Sequence, residues 1–240
     1  MRDCPFTAKL EETGAPGIRK GTPAPTDAGG VRTPDKRTHR GPHPEDARLF
    51  AAEALPALRA AVADLAWLLG RGYAEKSALK LVGDRFALTE RQRIAVMRCT
   101  CPDAALADRH ARRLEPGSLA GQILRIDGYN VLTTLEAALA GGVILAGRDG
   151  CFRDMASMHG TFRAVVETRP ALELLVDALA GLGLRDCACY LDAPVSNSGR
   201  LAGLIRQVLQ ARGLDWEVSI VANPDAILAL TDDPVATADS

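Results

Sequence analysis

Apolar residues begin to recur at three- and four-residue steps from Pro44 onward, at Leu49, Phe50, Leu58, Val62, Leu65, Leu68 and Leu69. This is the period of an amphipathic helix. Pro56 either kinks it or opens its second half, and Gly70-Arg71-Gly72 ends it. A short helix is expected over Glu75 to Val82. Thr89-Glu90-Arg91-Gln92 reads as a capping box, with Thr89 as N-cap and Gln92 reaching back, opening a helix that carries Ile94, Ala95, Val96 and Met97. Another runs from Asp103 to Leu114 and stops at Pro116-Gly117. Residues 44–117 are therefore read as a small all-helical domain. Residues 1–43, rich in Pro, Gly, Thr and charge without apolar periodicity, are read as a disordered tail.

After Gly117 the pattern alternates between short apolar runs and longer amphipathic ones. Ile123–Ile126, Cys187–Leu191, Trp216–Val221 and Val235–Ala238 read as strands; Val143–Ala146 is either a strand or an extended loop. Thr133–Leu139, Pro170–Leu182 and Gly199–Ala211 read as helices, and Asn223-Pro224-Asp225 opens a short one through Leu230. Strands alternating with helices imply a parallel, doubly wound sheet. Residues 118–240 are thus expected to form a three-layer α/β domain.

Composition refines this outline. Hydrophobic residues make up 47% of the 240 and charged ones 25%, ordinary for a globular protein. No run of 18 or more apolar residues is present, so no membrane partner is expected. The N-terminus lacks an apolar signal core, so the expected location is cytoplasmic. Six cysteines then read as free thiols. The Cys-x-Cys spacing of Cys99/Cys101 and Cys187/Cys189 falls short of a zinc pattern, and the second pair reads as small core residues. Residues 121–240 hold 9 Lys/Arg against 15 Asp/Glu, an acidic excess that a divalent cation would offset. Arg85, Arg91, Arg93 and Arg98 form a basic side of the helical domain, either a phosphate grip or plain solvation.

Three aspartates follow strand-like runs: Asp127, Asp192 and Asp239. Asp225 opens the helix after another strand. In a parallel sheet with right-handed crossovers, all four lie at the carboxyl edge, where α/β folds bind ligands. Four carboxylates gathered there need a hard cation, Mg²⁺ or Mn²⁺, which also bridges phosphates and activates water. Bland readings stand beside this one: a turn at Asp127 or Asp192, a helix-dipole charge at Asp225, and a frayed end at Asp239. Asn130 is placed to bind a phosphate or orient a water. Arg148, Arg153 and His159 either meet phosphates near the site or serve locally, with Arg153 and Asp154 as a structural pair. Ser196, Asn197 and Ser198 enter a helix N-terminus, which is either an anion site or an ordinary N-cap by Asn197 or Ser198.

Ile126-Asp127-Gly128-Tyr129-Asn130 resembles the opening motif of the NYN branch of PIN-like nucleases. Tyr190-Leu191-Asp192 resembles their second acidic strand, Asn223-Pro224-Asp225-Ala226-Ile227 their acidic helix start, and Ala236-Thr237-Ala238-Asp239-Ser240 their Thr-x-Asp-Ser strand end. The likeness covers roughly residues 121–240. The chain also resembles, over about residues 38–240, a domain-of-unknown-function family that joins a helical module to such a domain. Its recognisable N-terminal strings are Trp67-Leu68-Leu69-Gly70-Arg71-Gly72-Tyr73, Leu81-Val82-Gly83-Asp84-Arg85 and Arg91-Gln92-Arg93. The resemblance implies a three-layer PIN-like parallel sheet and a Mg²⁺- or Mn²⁺-dependent ribonuclease acting on single-stranded RNA, with Asp127, Asp192, Asp225 and Asp239 as metal ligands. PIN-like domains usually continue past the point where this chain stops, so a truncated C-terminus is expected. The helical domain would grip RNA or mediate a homodimer or protein contact. The rival expectations are a non-catalytic RNA- or protein-binding module on the same fold, and a small-molecule phosphatase or nucleotide enzyme. The last lacks Gly-x-Gly-x-x-Gly and Gly-x4-Gly-Lys-Ser/Thr.

Overall fold

The computed structural model of the protein describes residues 40–155 and 162–238. The disorder expected of residues 1–39 and the readings for His159 and Asp239 lie outside the described residues. The first module holds α1 (Asp46–Leu49), α2 (Leu55–Leu69), α3 (Glu75–Arg85), α4 (Glu90–Cys99) and α5 (Asp103–Arg112). The helix expected from Pro44 is thus two helices. Pro56 sits in the first turn of α2, where its missing N–H costs nothing. The capping box is formed: Gln92 N donates to Thr89 Oγ1 at 3.3 Å, and Thr89 N donates to the Gln92 side chain at 3.1 Å. Leu58, Leu65, Val82 and Val96 are the centre of the core that α2, α3 and α4 bury.

The basic side read from Arg85, Arg91, Arg93 and Arg98 is engaged within the protein. Arg85 pairs with Asp64 and Arg93 with Asp84. Arg91 pairs with buried Asp46, whose carboxyl burial alone would push up but which Arg91 and the His43 N–H hold below its usual range. Arg98 donates to the Asp154 carbonyl at 3.0 Å. These guanidinium groups fasten elements together.

The second module contains β1 (Ile123–Asp127), α6 (Gly128–Leu139), β2 (Ile144–Ala146), β3 (Phe152–Asp154), α7 (Thr168–Ala180), β4 (Asp186–Asp192), α8 (Ser198–Ala211), β5 (Glu217–Val221), α9 (Pro224–Leu228) and β6 (Val235–Ala236). The main sheet runs β5-β4-β1-β6 with all pairings parallel, as expected of an α/β domain. Strand parity separates its faces. Leu191 and Val218 pack with α6, α7 and α8 through Leu132, Leu172 and Leu201. Ala188 and Tyr190 face the other way and pack with Leu228 of α9. Helices therefore flank both faces, but five-residue α9 covers its own side thinly and leaves Leu230 88% exposed.

The run Val143–Ala146 does become a strand, although not one of the main sheet. β2 pairs antiparallel with β3 as a separate hairpin, turned by Gly150 at φ +81°, a value that suits glycine. Leu145 and Met155, at the hairpin, are buried in the core of the helical module with Leu58 and Val62. The hairpin thus packs into the core of the helical module, while the main sheet buries apolar clusters of its own. At the start of the described chain, Arg40 pairs with Glu136 of α6, which is 0% exposed and also accepts from Thr168. The ordered structure therefore reaches back across residues 40–43. Among the described residues no helix is long and apolar enough to cross a membrane.

Asp149 in the hairpin turn holds this junction. It accepts two bonds from buried Arg153, at 2.9 and 2.7 Å, and one from Arg109 of α5 at 2.6 Å. Burial alone would push its carboxyl up, but Arg153, the Cys151 N–H and Arg109 bring it down to about 2. Because the folded value lies below the unfolded one, this contribution to stability is full above about pH 4 and fades as pH falls through about 2. Asp149→Asn leaves Arg153 buried without its counter-charge and should destabilise the protein by about 3–5 kcal/mol in urea unfolding. The acid-side loss of stability between pH 4 and 2 should shrink with it. A change under about 1 kcal/mol would contradict this assignment.

Candidate functional site

The carboxyl edge is built by register. β1 and β4 pair so that Asp127 lies opposite Tyr190, and β4 extends two residues further, ending on Asp192. By parity Asp127 shares a face with Arg125, while Asp192 shares one with Ala188 and Tyr190. This is one and the same face, since Arg125 reaches the Tyr190 hydroxyl. α9 packs on that face and brings Asp225 in its first turn, after Asn223 caps the helix by accepting from Ala226 N at 3.1 Å. Asp127, Asp192 and Asp225 thus come to one end and one face of the sheet.

Their surroundings differ. Asp127 is 2% exposed; its carboxylate caps α6, accepting from Asn130 N at 3.3 Å and from the Asn130 side chain, and it accepts from Thr237 Oγ1 at 3.3 Å. Burial pushes its carboxyl above the ordinary range, the Asn130 and Thr237 bonds oppose the rise, and the charge of Asp225 adds to it. Asp192 is half-buried and also raised, first by burial and then by Asp225. Asp225 itself is exposed. One buried and one half-buried carboxylate therefore both feel the charge of a third at the edge. Gly128 makes this approach possible: a Cβ there would sit 2.9 Å from the Tyr190 carbonyl and 2.6 Å from Leu191.

Behind Asp192 the loop is fixed by hydroxyls. Ser198 Oγ lies 2.5 Å from the Asp192 carbonyl and 2.6 Å from that of Val195. With its single hydrogen turned to a carbonyl, Ser198 accepts from the Tyr129 hydroxyl at 2.7 Å. Asn197 occupies the N-cap position of α8 at φ 72° without a side-chain cap bond, and its amide instead donates to the Phe162 carbonyl at 3.0 Å. Ser196 is exposed, and its carbonyl accepts from Phe162 N at 3.0 Å. In this loop Ser198 is buried, and its hydroxyl and the Asn197 amide are both bonded within the fold.

Arg148 and Arg153 stand in the hairpin, each engaged by a carboxylate of the fold. Arg153 is spent on Asp149, not on Asp154; the Asp154 carboxylate accepts from Thr133 and Thr134 at 3.2 and 3.1 Å. Arg148 pairs with Asp103 at 2.7 Å and donates to the Cys101 carbonyl. Tyr129 and Thr237 contribute to the site without having been assigned a role from the sequence. Both stand inside the strings that carry the family resemblance, but their partners lie 69 and 110 residues away. The buried thiol of Cys187 is pushed up to about 12 by burial, in keeping with a small core residue.

Among the described residues no three His, Cys, Asp or Glu side chains form a ready-made metal cage. The donors at the edge are nevertheless hard oxygens. Mg²⁺ commonly binds through one or two carboxylates, waters and substrate phosphates instead of an all-protein cage, and Asp127, Asp192 and Asp225 fit that chemistry.

Residues 116–240 match the family model described as "Domain of unknown function (DUF5616)", and residues 57–112 match "Protein of unknown function (DUF434)". The chain is similar to an uncharacterized protein of Methanocaldococcus jannaschii, with 34% identity over 179 residues, covering 74% of this chain and 84% of the relative. No solved structure matches the chain.

Asp225→Asn removes the like charge that both strand-end carboxylates feel. Carboxyl NMR titration should then show Asp127 and Asp192 titrating at lower pH than in the wild type. Unchanged midpoints for both would separate Asp225 from the site.

Proposed function

We propose that this chain, which belongs to the DUF5616 family, is a metal-dependent phosphodiesterase of ribonuclease type on a PIN-like domain. One observation carries the reading. Strand register and the start of α9 bring Asp127, Asp192 and Asp225, from three separate elements, to one end and one face of the sheet. There burial first and the charge of Asp225 after it push the carboxyls of Asp127 and Asp192 up, a burden that a divalent cation would relieve. Asp127, Asp192 and Asp225 are the residues that would hold Mg²⁺ or Mn²⁺, together with Asp239. Such an ion supplies charge neutralisation at the scissile phosphate and water acidic enough to be a nucleophile at neutral pH. The chain's own groups do the positioning. Asn130 and Thr237 fix the Asp127 carboxylate, while Tyr129 and Ser198 fix the loop that follows Asp192.

A second reading, a non-catalytic RNA- or protein-binding module, is favoured by the hydrogen bonds that occupy Asp127 as the cap of α6. Asp127→Asn separates the two, because asparagine caps a helix as well as aspartate does yet removes the charge. On single-stranded RNA with Mn²⁺, wild type should cleave, chelation should abolish cleavage, and Asp127→Asn should lose at least about 100-fold. Weaker outer partners of a metal already cost about 10- to 100-fold. Equal cleavage by both proteins would sink the assignment of the chemistry to Asp127, and no cleavage by either with no Mn²⁺ uptake in calorimetry would favour the binding module.

A further inference from the structure

Arg59, Ala63, Trp67 and Arg71 follow one another at four-residue steps along α2 and just past its end, so they form one row on its surface. The row faces Asp103 and Ala104 at the start of α5 and Arg148 at the hairpin tip. Between them lies an open groove of about 390 Å³, within the roughly 300–1,000 Å³ range of small-ligand clefts. Trp67 is 54% exposed, a large indole that the core does not use. Small residues, Ala63, Ala66 and Gly70, stand beside it in the groove wall. The Arg71 guanidinium lies 3.5 Å from the indole centroid. Arg148 is pre-set in its place by Asp103 and the Cys101 carbonyl. Arg59, Arg71 and Arg148 thus bring three guanidinium groups to the lining of the groove, with Arg148 oriented by Asp103.

We infer that this groove binds a single-stranded polynucleotide, with a base stacked on Trp67 and backbone phosphates held among Arg59, Arg71 and Arg148. A planar base extends the stack that Arg71 already makes with the indole, and guanidinium forks match phosphate geometry; an acidic peptide would use only the charge. None of these residues belongs to the carboxyl edge, and Arg148 comes from the α/β module, so the grip spans both modules. The choice of RNA as the polynucleotide rests on the ribonuclease reading.

The test is fluorescence anisotropy of labelled oligouridylate with the full chain in chelator, where no metal-dependent cleavage occurs. Trp67→Ala should weaken binding about 10- to 100-fold, the range for loss of one base stack, with Trp67→Phe recovering part of it. Arg59→Ala with Arg71→Ala should lower the slope of log affinity against log salt by about 1.4, from about 0.7 per phosphate contact on a single strand. Asp127→Asn should bind as wild type does. No binding by wild type, binding by Trp67→Ala within twofold of wild type, or displacement by polyglutamate as effective as by unlabelled RNA would overturn the groove, the last by making it a protein-docking site. Intact groove binding without Mn²⁺-dependent cleavage would remove the ribonuclease reading alone. Cleavage with unaltered binding in Trp67→Ala would remove the groove alone.

Discussion

The parallel pairing of β1 with β4 is the constraint from which the rest of the molecule follows. It aligns Asp127 with Tyr190 and so sets two strand-ending carboxylates on one face at one end. A one-residue slip would send Asp192 to the opposite face. The pairing tolerates no side chain at Gly128, where β4 backbone closes over the first turn of α6. The apolar side of the same strands, with Leu124, Ile126, Cys187 and Leu191 buried, fixes the register. Burial of one face thus determines what is presented at the edge of the other.

A second junction ties that edge to the helices. The β2–β3 hairpin puts Leu145 and Met155 into the helical core, and Asp149 links Arg153 of the hairpin to Arg109 of α5. Buried ion pairs add little net stability over apolar replacements, but removing one partner is costly. The hairpin is therefore locked in place more than it is strengthened. The same docking sets Arg148 beside α2, so one structural element both joins the modules and completes the groove around Trp67.

Much of this was legible in the residues, for identifiable reasons. The four strands of the main sheet and the helices between them follow from apolar runs and amphipathic periods, and Thr89-x-x-Gln92 marked its helix start through local hydrogen bonds alone. Asp127 and Asp192 stood out because each ends an apolar run. Local signals did not determine the partners of charged side chains. Arg153 pointed to phosphate as an isolated letter, yet Asp149 takes it in the fold, and Arg148 is oriented by Asp103, a partner its neighbourhood does not announce. The arginines of α3 and α4 likewise went to Asp64, Asp46, Asp84 and a hairpin carbonyl. Strands of three residues, such as β2 and β3, carry too little period to announce their pairing. The tie between Arg40 and Glu136 spans 96 positions and leaves no mark in either neighbourhood.

The central claim is that the sheet gathers acids from distant parts of the chain to share a doubly charged ion. Anomalous diffraction from crystals soaked in Mn²⁺ tests it most directly. The account predicts a Mn²⁺ peak within bonding distance of the Asp127 or Asp192 carboxylate, on the side facing Asp225. Well-ordered carboxylates with no Mn²⁺ at that edge, or a peak bound only elsewhere on the protein, would contradict it.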